Sequence, residues 1–135
     1  MLLNFSTTIQ QARLAAIKDN IDSGSAGGKL KIYSGTKPTP GASITDQVLL
    51  ATITFADPCG TISGNTLTFA FAGSGEAQCA AGGTATWARF TSSADVFCAD
   101  ADVSDTNGNG VIKIDSVTLY QNGTVRVLNG VLLEP

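Results

Sequence analysis

The stretch from Asp105 to Ile112, DTNGNGVI, sets oxygen-bearing side chains at Asp105, Asn107 and Asn109, followed by Gly110 and an aliphatic Ile112. This is the opening of a calcium loop, in which alternate side chains turn their oxygens towards one hard cation. Asp100 and Asp102, just upstream, could add two carboxylates. The second half of the loop breaks the pattern. Position nine is Lys113, whose ammonium would stand beside the ion, and position twelve, where a bidentate acid is required, is Ser116. The flanks ADVFCADADV and VIKIDSVTLY alternate as strands do, and Asn-Gly steps tolerate positive φ. The stretch therefore reads as a turn between two strands, and no metal site is expected. In the opposite case the donors would be Asp100, Asp102, Asp105, Asn107 and Asn109.

Other reactive groups are few. The chain has no histidine, so Ser-His and Cys-His nucleophile pairs, His-ligated metals and the commonest general base are all excluded. Cys59, Cys79 and Cys98 have neither zinc-ligand nor CxxC spacing and read as idle thiols; a Cys59–Cys79 disulfide stays open. Paired carboxylates could serve a glycosidase, but one Trp and two Tyr are a thin set of sugar platforms. GSGEAQCAAGG lacks phosphate-loop spacing and a lysine, so its glycines imply flexibility. The expectation is a protein that is not an enzyme, with no catalytic residue and no cofactor.

Bulk properties narrow the partners. A chain of 135 residues, 43% hydrophobic and 14% charged, suits one globular domain over residues 1–135. A net charge of −3 gives no basic stripe for nucleic acid or anionic membrane. No apolar run reaches the roughly 18 to 20 residues of a membrane span, and MLLNFSTTIQ lacks a basic n-region, so a soluble protein made in the cytosol is expected.

These residues must be positioned by strands and one helix. STTIQQARLAAIKDNIDSG has helical periodicity, predicting an amphipathic helix over 6–22, capped by Ser6 or Thr7 and ended by Gly24, with Ile9, Ala12, Ala16, Ile17 and Ile21 as its apolar face. That face would cover the protein's own sheet or dock on a partner. Strands follow from residue 29. LKIYS precedes a Pro-rich loop, KPTPG. VLLATITF sets Leu49, Ala51, Ile53 and Phe55 on one face and is closed by DPCG. TLTFAF aligns Leu67, Phe69 and Phe71, and GTATWARF carries Trp87 and Arg89 together. In SVTLYQNGTVRVL, a three-residue turn at Gln121-Asn122-Gly123 would pair Leu119 with Val125 and Val117 with Val127, Gly123 being left-handed, and GVLLEP would continue the strand after a kink at Asn129-Gly130. The predicted architecture is mainly β: a single antiparallel β-sandwich or jelly roll of about seven or eight strands over 29–134, behind the N-terminal α-helix.

The order of KIYSGTKP, LLATITFADP and GTATWARF, then a strand leading to an acidic turn and a final hairpin, resembles a family of small virion proteins of tailed bacteriophages. The similarity covers most of residues 29–134. It implies a β-sandwich or jelly-roll accessory protein similar to capsid cement (decoration) proteins, bound to the major capsid protein or other virion proteins. A virion location after assembly in the host bacterial cytoplasm, a homo-oligomer (dimer or trimer), and no direct nucleic-acid or membrane contact go with it. The resemblance carries a role and no named site. Two other classes remain open: a neck, tail or fibre component, and a carbohydrate- or ligand-binding module, which would need Trp87 exposed with Tyr33 or Tyr120.

Overall fold

A computed structural model describes residues 3–134. Helix α1 (Thr7–Ile21) comes first, then β1 (Lys29–Tyr33), β2 (Leu49–Ser63), β3 (Thr66–Phe71), β4 (Glu76–Gln78), β5 (Gly83–Thr84), β6 (Trp87–Thr91), β7 (Phe97–Ser104), β8 (Ile112–Ile114), β9 (Thr118–Leu119) and β10 (Thr124–Leu133). The chain is mainly β with one helix, as its alternation predicts.

The sheet is neither open nor wholly antiparallel. Strands run in the order β3-β2-β1-β6-β7-β8-β10, and β10 pairs back on to β3, closing a seven-strand barrel. This corrects the expected antiparallel sandwich: β7 and β8 pair in parallel, through Val103↔Ile112 and Ser104↔Lys113. Strand β4 follows β3 along the same edge of β10 after a 3₁₀ turn at Ala72–Gly75. GSGEAQCAAGG is therefore partly strand, and only β5 and β9 form a separate ribbon.

Alternation decides what faces inward. Leu30 and Ile32, Ile53 and Phe55, Leu67 and Phe69, Ala88 and Phe90, Ile112 and Ile114, and Val125 and Val127 share one buried cluster. Phe55, Phe69 and Phe90 pack with centroids 5.4–5.8 Å apart, tilted or edge-on, as the ring quadrupole favours. Two bulges shift the expected pattern. One between Ile32 and Tyr33 pairs Tyr33 with Leu49, leaving Leu49 partly exposed and Leu50 buried beneath the 79–83 segment. The other lies between Phe55 and Gly60, so DPCG does not close the strand; it bows out of a strand that continues to Ser63.

That bow meets the helix. The Cys59 N–H donates to Asp22 Oδ1 at 2.9 Å, and Asp22 caps the end of α1. Ser6 caps the start, its Oγ accepting from the Ile9 N–H. The buried face of α1 is Leu14 and Ile21, with Ile17 packed beside them, whereas Ile9 is 47% exposed and Ala12 and Ala16 also face outward. The expected apolar stripe is thus rotated by about one residue, and the face of Leu14, Ile17 and Ile21 packs on the protein's own barrel. The return from α1 into β1 passes so close that a Cβ on Gly28 would lie 2.5 Å from Ile21 Cγ2. At the far end of the chain, Asn65 and Glu134 exchange backbone and side-chain hydrogen bonds, and Arg13 lies 3.0 Å from the Glu134 carboxylate.

The expected C-terminal hairpin does not form. Leu119 pairs with Gly83 rather than Val125, and Val127 pairs with Ile114. Residues 120–123 make a tight turn, with Gly123 N–H donating to Tyr120 O, but Asn122 carries the positive φ of 67°. The kink near Asn129 is present as a register shift between Val127 and Asn129.

Candidate functional site

The candidate cation donors are divided between two places. Asp100 and Asp102 project from the outer face of β7, because Ala99, Ala101 and Val103 take the inner one. Asp100 receives a bidentate pair from Arg89, Nε to Oδ1 at 2.8 Å and Nη2 to Oδ2 at 3.0 Å, and the Gly41 N–H at 3.2 Å. Asp102 accepts from Lys37 Nζ at 2.9 Å. In the 105–109 turn, Asp105 Oδ1 accepts the Asn107 N–H at 2.9 Å, and Lys113 Nζ donates to the Gly108 carbonyl. Lys113 thus holds a carbonyl with its own ammonium, where a calcium loop would set oxygens around an ion. Ser104 Oγ, donating to Asp105 O and accepting from Gly110 N–H, closes the turn. No group of three or more His, Cys, Asp or Glu capable of holding a metal occurs among the described residues.

Trp87, Arg89, Tyr33 and Asp100 form a second packed layer outside the barrel. Tyr33 and Trp87 are paired across β1 and β6 and stack at 4.5 Å with 12° between planes. The Arg89 guanidinium lies 5.4 Å from the Trp87 ring and 5.2 Å from the Phe97 ring. Residues 34–48 cross this face and are tied to it by Thr86 Oγ1 donating to Gly35 O at 2.6 Å, by Lys37–Asp102 and by Gly41–Asp100. The aromatic pair is consequently buried, Trp87 completely and Tyr33 at 6% exposure, while Tyr120, at 73%, stands elsewhere on the 120–123 turn. A sugar platform of Trp87 with Tyr33 or Tyr120 is therefore not presented. The Arg89–Asp100 pair raises the already high pKa of the guanidinium, chiefly through its hydrogen bonds to the carboxylate. It is a structural clamp with no free acid or base.

The three thiols are free: Cys59 lies beneath the end of α1, and Cys79 beside the 120–123 turn, its N–H donating to Gly123 O. Burial first, and then the Asp22 carboxylate, pushes the Cys59 thiol up to about 12. Burial also raises Cys79 and Cys98. Thiols held protonated are poor nucleophiles.

A concavity lies beside β7. Strand β7 meets β8 only at Val103 and Ser104, so residues 97–102 have no strand partner on that side among the described residues. The barrel wall opens there into a cleft of about 280 Å³, floored by Phe69 and Phe90 and walled by Ile17, Ala99, Ala101 and Leu132. Lys37, Asp100 and Asp102 stand at its mouth.

No protein-family model, curated protein or solved structure matches this chain.

Sequence reasoning singled out Asp100 and Asp102 for their oxygens and Trp87 with Arg89 for their shared face. The structure joins Asp100 to Arg89 and Trp87 in one cluster, and leaves Asp105, Asn107 and Asn109 in the turn. Missed altogether was the cleft. Its signal is present in ADADV, where two inward positions of β7 carry alanine.

Proposed function

We propose that this protein is a non-enzymatic structural component of a tailed-phage virion, a capsid cement that stabilises the shell by binding the major capsid protein. The observation that carries the reading is the location of the three segments on which the resemblance rests. LLATITFADP, KIYSGTKP and GTATWARF become β2, β1 and β6, consecutive neighbours in the barrel wall, with the loop after β1 latched across them. They form one continuous surface unit. The rest of the molecule suits the role: charges on this face are satisfied within the chain, through Arg89–Asp100, Lys37–Asp102, and Lys29 and Lys31 on Asp95. The thiols are masked. A cement needs such a rigid body and no reacting group.

Large apolar side chains remain exposed, among them Val48, Leu49 and Tyr120. These are the groups a shell subunit would bury, since contact surfaces gain most from large apolar and aromatic anchors. The test is sedimentation of undecorated capsids mixed with the purified chain. Recovery in the pellet supports the reading; retention in the supernatant while binding tails moves the protein to another virion position.

A further inference from the structure

We propose that the opening in the barrel wall is a binding site for a small uncharged apolar molecule carrying a single hydroxyl or carbonyl group. This site is independent of the virion reading and would stand if that reading fell.

Size and lining come first. An apolar cavity of roughly 150 Å³ is enough to hold benzene. The cleft, at about 280 Å³, has room for an aromatic ring with a short tail. Its space arises from residue choice: inward positions on β1, β2 and β8 carry Leu30, Ile53 or Ile112, whereas β7 presents Ala99 and Ala101 opposite Phe69 and Phe90. The missing side-chain volume sits beside two aromatic rings at an opening in the barrel wall, and barrel interiors hold ligands where side chains do not fill them.

Charge decides the class. Each ion at the mouth already has its partner: Asp100 holds Arg89, with side-chain exposures of 1% and 11%, and Asp102 holds Lys37. A charged ligand would shed its hydration on entering the apolar interior and meet no unpaired counter-ion there. A neutral polar group fares differently. Val103 N–H donates to Thr86 O on the β6 side. By strand alternation the backbone N–H and C=O of Asp100 then point the opposite way, into the opening, where no strand pairs with them among the described residues. The N–H can donate to one ligand hydroxyl or carbonyl oxygen, and the C=O can accept from a hydroxyl. A peptide strand fits less well, because Ile17 of α1 and Val111 also line the cleft beside the unpaired edge of β7.

The experiment is an NMR titration of the full chain with 3-phenylpropan-1-ol, beside 3-phenylpropanoate and 3-phenylpropylammonium as charged counterparts. Saturable shifts centred on Ala99–Ala101 and Leu132, with ligand-ring NOEs to Phe69, Phe90 and the Ala101 methyl, are expected for the alcohol. Both ions should bind at least about tenfold more weakly. Filling the space with Ala101→Leu should reduce alcohol affinity by about tenfold or more; Ala99→Val serves if that variant does not fold, and the NOEs need neither. The proposal is overturned by the absence of saturable shifts, by NOEs to other residues, by equal binding of the ions, or by affinity that survives filling. Preferential binding of an extended peptide such as acetyl-TLTFT-amide would reassign the opening to a strand partner and would also overturn it.

Discussion

Asp100 is the residue on which the outer layer of the barrel depends. It accepts both arms of the Arg89 fork and the Gly41 N–H, so one carboxylate fixes β6, β7 and the loop crossing them. Asp100→Ala leaves a guanidinium with 11% side-chain exposure and no counter-charge. Losing one partner of such a pair costs about 3–5 kcal/mol, and urea denaturation of the variant should show a loss of that order. Replacing the pair together, as Arg89→Met with Asp100→Leu, should recover much of it. A second effect at this scale concerns pH. The folded Cys59 thiol titrates near 12, raised by burial and by Asp22, against an ordinary 9.0. Between those values the unfolded chain gives up a proton that the folded chain keeps. Stability should therefore be full below about pH 9 and fall as pH rises towards 12; Cys59→Ala should make the alkaline decline of the urea midpoint shallower, while a decline unchanged by it would place the linkage elsewhere. Lys113 shows how much of a site is legible in letters: the cation at position nine of DTNGNGVI weighed against calcium, and that same ammonium grips the turn. The clamp on Asp100 was not legible, because it joins residues 11 apart in sequence to a loop 59 residues away.

Among the elements, α1 was legible in its limits and misread in its orientation. Ser6 caps it where the sequence suggests, but the end cap is Asp22 rather than the expected Gly24; an alanine-rich turn supports more than one apolar stripe, and packing on the barrel selects Leu14, Ile17 and Ile21. Leu14 has no exposure, so Leu14→Ala should cost about 2–5 kcal/mol, whereas Ile9→Ala, at a half-exposed position, should stay within about 0.5 kcal/mol. Equal losses for the two would return the helix to the stripe read from the sequence. Removing residues 1–22 should unfold the barrel instead of merely weakening its associations, since Leu14 and Ile21 belong to the main core. The C-terminal hairpin failed for a related reason. Local register pairs Val117 with Val127, but Val127 finds Ile114 across β8–β10 and Leu119 finds Gly83. Those partners are invisible to reasoning confined to one turn.

For the whole molecule, alternation along each strand revealed a β-protein but could not say whether the sheet would close. Closure rests on Val131–Leu133 meeting Thr66–Thr68, a pairing across some 65 residues, and on one parallel contact between β7 and β8. That short contact also leaves the wall open beside Ala99 and Ala101, so the architecture and this cleft have the same origin. Strands β2, β1 and β6 lie side by side in the continuously paired part of the wall, with β6 next to β7. The proposed binding to a capsid shell is put to the test by sedimenting undecorated capsids with increasing amounts of the purified chain. The expected result is saturable recovery in the pellet at a fixed ratio to the major capsid protein, with the bound shells surviving heating that disrupts bare ones. A chain that stays in the supernatant at every concentration, leaving the shells no more heat-resistant, would contradict it.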